Sequence, residues 1–188
     1  NWIYPKFYPA GWSRNGKLSF METGSGGGRS EYVFKFKIID LVIDKILASI
    51  ETFSDESESL ETAWSNNNSK IKDLLNKYNI IIQRNFYLLK FPVILGYDKI
   101  YCFVENKVTG QDDFLMNTGT SVVWAKSEKL GKKAFGHYTS LSGAVIGYFL
   151  SPYENRIAVI FDYSTRGWEG PPHEVKLRIS GCDLTRGF

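Results

Sequence analysis

Residues 31–41 read EYVFKFKIIDL, and their alternation leaves the stretch few ways to fold. Tyr32, Phe34, Phe36 and Ile38 fall on one side of an extended chain, and Glu31, Lys35 and Lys37 fall on the other. That is the period-two pattern of a strand with one face buried. Ahead of it, in GWSRNGKLSF (residues 11–20), a polar turn at Ser13–Gly16 separates the Trp12 segment from the alternating KLSFME. Asn15-Gly16 suits a tight strand-to-strand turn because glycine takes positive φ without a side-chain clash. GSGGGRS (24–30) favours neither regular structure and reads as a loop. After the long strand, VIDK turns the chain into ILASI. With KFYPAGW in front, residues 6–53 are expected to form a four-strand meander.

The next stretch changes character. Residues 54–69, SDESESLETAWSNNNS, are polar and acidic and read as an exposed excursion. Ser69 then resembles an N-cap, Ile71, Leu74, Leu75 and Tyr78 follow at helical spacing, and Asn79 suits the C-terminal end. One short helix is expected near 70–78. From Ile80 the β pattern returns in IIIQRNFYLLKFPVIL, KIYCFVENKV, SVVWAK, GAVIGYFL, RIAVIFDY and EVKLRISGCDL, with TGQDDFLMNTG as loop and KSEKLGKK as a charged turn. The fold class is therefore mainly β, an antiparallel sandwich or barrel-like domain over residues 1–188 with one helix.

Composition agrees with this. The chain has 188 residues, 43% apolar and 15% aromatic, enough to bury a core without disulfides or metal. A net charge of +3 gives no reason to expect a nucleic-acid or membrane partner. No apolar run is long enough to cross a bilayer as a helix. Cys102 and Cys182 are compatible with one disulfide or with two buried thiols. Asn67-Asn68-Ser69 matches a glycosylation sequon, a motif frequent by chance. A chain beginning at Asn1 rather than Met fits either a removed signal peptide or trimming.

The opening meander is echoed near the end. GWSRNGKLSFMET, a glycine-rich loop and EYVFKFKIIDL stand against YFLSPYENRIAVIFDY, a Gly/Pro-rich loop and EVKLRISGCDL. In both, a serine and polar turn precede an alternating strand, a loop and a long strand ending in Asp-Leu (Asp40-Leu41 and Asp183-Leu184). This is a divergent internal repeat over 12–41 and 149–184. Over residues 11–47, WSRNGKLSF, with IIDL some way downstream, resembles the WD40-like repeat of TolB-type β-propellers. In those blades a Trp-Ser-x-Asp-Gly-Lys turn leads into the second strand and Asp-Leu ends the third. Asn15 stands here in place of the Asp. The resemblance implies blade-like meanders, although 188 residues hold too few 40-residue blades to close a propeller. SPYENRIAV and RGWEG are also similar to segments of bacterial secreted proteins, which implies a secreted or periplasmic place.

Few residues suggest catalysis. The two histidines are His137 and His173. A hydrolase could be assembled from His173 with Glu169 or Glu174, yet no Gly-x-Ser-x-Gly elbow accompanies them. GSGGGRS lacks the Gly-Lys-Ser/Thr ending of a phosphate-binding loop, and His and Cys are too sparse for zinc. Neither a catalytic set, a metal site nor a cofactor is expected. RGWEGPPHE (166–174) is the strongest recognition candidate, with Arg166, Trp168, Glu169 and His173 held among Gly and Pro. The repeat aligns this loop with GSGGGRSE and so pairs Arg29 with Arg166, two guanidinium groups suited to an anion. A rigid hairpin with Trp168 packed inward is the plainer alternative. Lys126, Lys129, Lys132 and Lys133 suggest either phosphate binding or, more simply, a solvated turn. The expected function is a non-enzymatic binding or protein-interaction module for a protein or small anionic ligand.

Overall fold

The computed structural model describes residues 5–25, 32–54, 58–113, 117–138, 141, 144–165 and 174–186. Twelve strands and two helices lie among them: β1 Lys6–Trp12, β2 Lys17–Ser25, β3 Tyr32–Asp40, β4 Lys45–Ser54, α1 Leu60–Asn66, α2 Asn68–Lys77, β5 Ile81–Ile82, β6 Val93–Leu95, β7 Asp98–Gln111, β8 Asn117–Ser127, β9 Gly131–Tyr138, β10 Val145–Leu150, β11 Arg156–Thr165 and β12 Glu174–Asp183. The protein is mainly β, and every strand pairing is antiparallel. The strands form a first sheet (β4-β3-β2-β1-β5), a middle sheet (β10-β11-β12) and a third sheet (β6-β7-β8-β9).

Side-chain parity stacks these sheets in layers. Phe34, Phe36 and Ile38 of β3 cover Ile71 and Leu75 of α2 and Ala63 of α1. Ile39, with Trp12, Leu18, Phe20 and Leu41, meets Phe149, Ala158, Ile160 and Ile179 of the middle sheet. The intervening residues of β11, Ile157, Val159 and Phe161, turn the other way with Cys182 onto Ile100, Val123, Ala125 and Phe135 of the third sheet. The order is helices, first sheet, middle sheet, third sheet, solvent. β11 is apolar at five consecutive positions because both its faces are covered. β3 is likewise covered on both sides near its Asp40 end, which corrects the reading of a strand with one wet face.

The turns explain how strands of this chain meet. At Gly16, φ is +81°, the conformation that Asn-Gly was expected to supply. Ser13 donates its backbone N–H to Lys17 O at 2.9 Å, and Leu41 donates to Gly16 O at 2.8 Å. The later meander repeats both bonds: Ser151 N–H to Arg156 O at 2.9 Å, and Leu184 N–H to Asn155 O at 2.7 Å. These two turn ends touch. Arg156 donates to Leu41 O from Nη1 at 3.3 Å while its Nε pairs with Glu154 at 3.1 Å and its Nη2 with Asp183 at 3.5 Å.

Local expectations fail where the sequence is polar or apolar without a period. The acidic excursion contains α1, capped by Ser59, whose Oγ accepts the Thr62 N–H at 3.1 Å. Helix α2 starts at Asn68, with Asn67 rather than Ser69 at its cap. Its far end closes as expected around Asn79 (φ +53°), with Ile80 N–H on Leu75 O at 2.8 Å and Asn79 N–H on Asn76 O at 3.2 Å. Residues 80–95 hold only the short β5 and β6, so much of the expected strand there is irregular. Conversely, β7 and β8 extend through most of the stretch read as a loop around 109–119. Asn67 is buried, and its side-chain amide donates to Ala63 O at 2.9 Å, so the sequon residue is a helix-junction strut. Cys102 and Cys182 are free thiols rather than a disulfide.

Candidate functional site

The outer face of the third sheet ends the stack. In β7, Ile100 and Cys102 point inward, so Lys99, Tyr101, Phe103 and Glu105 point out. In β8, Val123 and Ala125 point inward and Trp124 and Lys126 point out. Register places Tyr101 opposite Lys126 and Phe103 opposite Trp124. On the next strand Lys126 faces Lys132. The surface is thus a row of two lysines and a tyrosine beside a row of two aromatic rings.

The lysine run divides here. Lys132 lies over the Trp124 ring at 3.6 Å and near Glu105 at 3.9 Å. Trp124 itself donates its indole N–H to Glu105. Lys133, one residue on, points to the inner side and donates to Gly181 O at 3.2 Å. Lys129 sits in the β8–β9 turn, its ammonium 3.4 Å from the centre of the Tyr97 ring. Lys99 and Lys126 make no ion pair with a described residue.

At one end of this face a cleft of about 440 Å³ is lined by Tyr97, Lys99, Tyr101, Lys126, Ser127 and Glu128. Two turns form its walls and one buried bond fixes them. Ser127 Oγ donates to Asp98, and the same Oγ accepts the backbone N–H of Leu130 at 2.9 Å and of Lys129 at 3.2 Å. Asp98 also accepts the Lys99 N–H at 2.8 Å. These donors, Ser127 foremost, hold the Asp98 carboxyl below the usual carboxylate range. Asp98 therefore stays ionised and ties the Gly96–Tyr97 turn to the Glu128–Leu130 turn. Tyr101 is 49% exposed and its ring carries no described cation, whereas Tyr97, exposed in the turn, already has Lys129 over one face of its ring.

The hydrogen-bonding groups of this cleft are partly engaged. Ser127 Oγ, the one aliphatic hydroxyl among the described lining residues, is held by Asp98 and two backbone amides. Among the described residues no group of three or more His, Cys, Asp and Glu could hold a metal ion. Among the described residues no helix is long and apolar enough to cross a membrane.

Another groove, of about 410 Å³, runs between α1 and the first sheet, with Tyr8, Tyr32, Phe34 and Leu60 among its lining residues. It lies where β2 and β3 leave for the glycine-rich loop. Arg29, Arg166, Trp168, Glu169 and His173 fall outside the described residues, as does the side chain of Glu174. The strands that carry those two loops are described: Ser25 pairs with Tyr32, and Thr165 with Glu174. The residues that the sequence reading passed over are Tyr97, Lys99, Tyr101 and Trp124. The signal for Lys99 and Tyr101 was the outward alternation Lys99-Tyr101-Phe103-Glu105, legible once the inward set is known.

No family model, curated protein or solved structure matches this chain.

Proposed function

We propose that this chain is a non-enzymatic binding module whose stacked sheets present the cleft at Tyr101 to an anionic ligand, in a secreted or periplasmic setting. One observation carries the reading. Lys99 and Lys126 flank an exposed tyrosine ring on an open sheet face and are paired with no described carboxylate. Like charges held side by side repel, and Lys126 already faces Lys132 across the β8–β9 pair. An anion relieves that repulsion, and the aromatic walls exclude water from one side of it, which strengthens the attraction. The Asp98–Ser127 tie fixes the walls beforehand and lowers the entropy lost on binding.

Titration with citrate, a small tricarboxylate, tests the proposal by amide NMR. Shifts confined to residues 97–101 and 126–129, lost in the Lys99→Met/Lys126→Met double variant, support it. Shifts scattered over all lysines, or unchanged in the double variant, overturn it.

A second surface, on the loops bearing Arg29 and on those bearing Arg166, Trp168, Glu169 and His173, is supported by the contact of the two meanders. Their turn ends meet at Arg156 and Leu41, and each loop joins the strands at the opposite end of its own meander. Loss of partner capture in Arg29→Ala/Arg166→Ala, with citrate shifts intact, assigns it as separate from the cleft.

A further inference from the structure

Resting on the anion-binding reading above, we infer that the ligand of the Tyr97–Tyr101 cleft is a carboxylate-bearing sugar, a uronate-type residue. The lining chemistry selects among anions.

The cations among the described lining residues are lysines, compact point charges, and no arginine is among them. Lysines grip carboxylate and phosphate alike as point charges, so the choice between those anions rests on the other lining groups. Glu128 also lines the cleft. A carboxylate there disfavours a compact phosphate dianion, yet it accepts hydrogen bonds from neutral hydroxyls. The set Lys99, Lys126 and Glu128 thus fits a ligand that presents one carboxylate beside several hydroxyl donors. The exposed Tyr101 ring lines the cleft and offers a flat apolar face, which suits the C–H face of a pyranose. Tyr101 and Tyr97 hydroxyls add acceptors and donors at the rim.

Recognition is confined to this end of the sheet. Farther along, the Trp124 ring is occupied by Lys132, and Lys132 by Glu105. A single acidic residue is read in the cleft, and the adjoining chain of an oligosaccharide runs out over the open face. An acidic peptide would present the same carboxylate but no hydroxylated ring for Tyr101 and Glu128.

The test compares four probes by calorimetry and amide NMR on the full chain: trigalacturonate, its methyl ester, triglutamate and tripolyphosphate. Trigalacturonate is expected to shift residues 97–101 and 126–129, and methyl esterification to weaken it by about tenfold, the worth of one charge-assisted contact. Tyr101→Ala and Lys126→Met should each weaken it by about tenfold or more. Lys77→Met, on α2, should leave it unchanged, and near-ultraviolet circular dichroism confirms that each variant is folded. Triglutamate or tripolyphosphate binding more tightly at the same residues overturns the sugar inference and leaves the anion-binding module standing. No shift at residues 97–101 and 126–129 with any probe overturns both.

Discussion

Gly181 is the point where the three sheets meet, and an alanine there measures how tightly they are held. Its N–H donates to Asp44 of the first sheet's β3–β4 turn at 2.6 Å, and its carbonyl accepts Lys133 Nζ of the third sheet at 3.2 Å. A Cβ built on Gly181 would fall deep inside contact distance of the Leu41 carbonyl oxygen, with Leu41 C and Cβ each at 2.7 Å. The obstacle is backbone on both sides, so no rotamer change relieves it. Overpacking of this kind costs about 1–3 kcal/mol. Prising β12 from the turn also stretches the bond to the Asp44 carboxylate, worth about 1.5–3 kcal/mol. Lower entropy of the unfolded alanine chain returns about 0.4–1 kcal/mol. The net loss for Gly181→Ala is about 2–4 kcal/mol, a large share of the roughly 5–15 kcal/mol that holds an ordinary domain together. With a urea m-value of about 2–3 kcal/mol/M, the denaturation midpoint should fall by about 1 M. Gly110→Ala is the matched control, because its Cβ meets only Thr118 Oγ1 at 3.7 Å, and it should move the midpoint little. A midpoint for Gly181→Ala equal to or above the parent's would refute the packing of β12 under Leu41.

Three further outcomes follow from the same coordinates. Burial pushes the Cys182 thiol up to about 12 and the Cys102 thiol higher still. Iodoacetamide at pH 8 should therefore leave both unlabelled in the folded protein and label both in urea, and native labelling seen by mass spectrometry would contradict the stacked middle sheet. Asn67→Ala should cost about 1–3 kcal/mol in urea unfolding because it strips the amide bonded to Ala63 O. The exposed Ser69→Ala removes the same sequon and should cost under about 0.5 kcal/mol, so equal losses would point to the sequon instead. Burial raises the Asp44 carboxyl above its ordinary value, against the pull of the Gly181 N–H, Lys133 and Arg156. Its folded form then holds a proton more readily than the unfolded chain, so its contribution is present below the unfolded value of about 3.9 and is lost as pH rises through the raised one. Asp44→Asn keeps the acceptor but cannot titrate, so the fall in urea midpoint from pH 4 to pH 7 should be shallower, and an identical fall would remove Asp44 as its source.

The local order of this chain is written in short-range pattern. Alternation fixes β2 and β3, Asn15-Gly16 fixes the turn between them, and the spacing of Ile71 and Leu75 with Asn79 behind them fixes α2. Period and φ preference act within a few residues, so the sequence alone carries them. Helix α1 escaped because its polar run shows a cap at Ser59 but only Ala63 fully buried. The facing of side chains is another matter. RIAVIFDY is apolar at every core position of β11, and which half of it meets which sheet depends on partners far away in the chain. Lys132 and Lys133 are neighbours in sequence, yet one lies on a tryptophan at the surface and the other reaches between sheets to Gly181. The pairings of β7 with β8 and β8 with β9, with the bulge at Val123/Trp124, decide which lysine is which. Those pairings also bring Tyr101 beside Lys126, two residues that nothing local connects. The cleft is a product of register, and a slip of one residue would turn Lys99, Tyr101 and Lys126 to the opposite face.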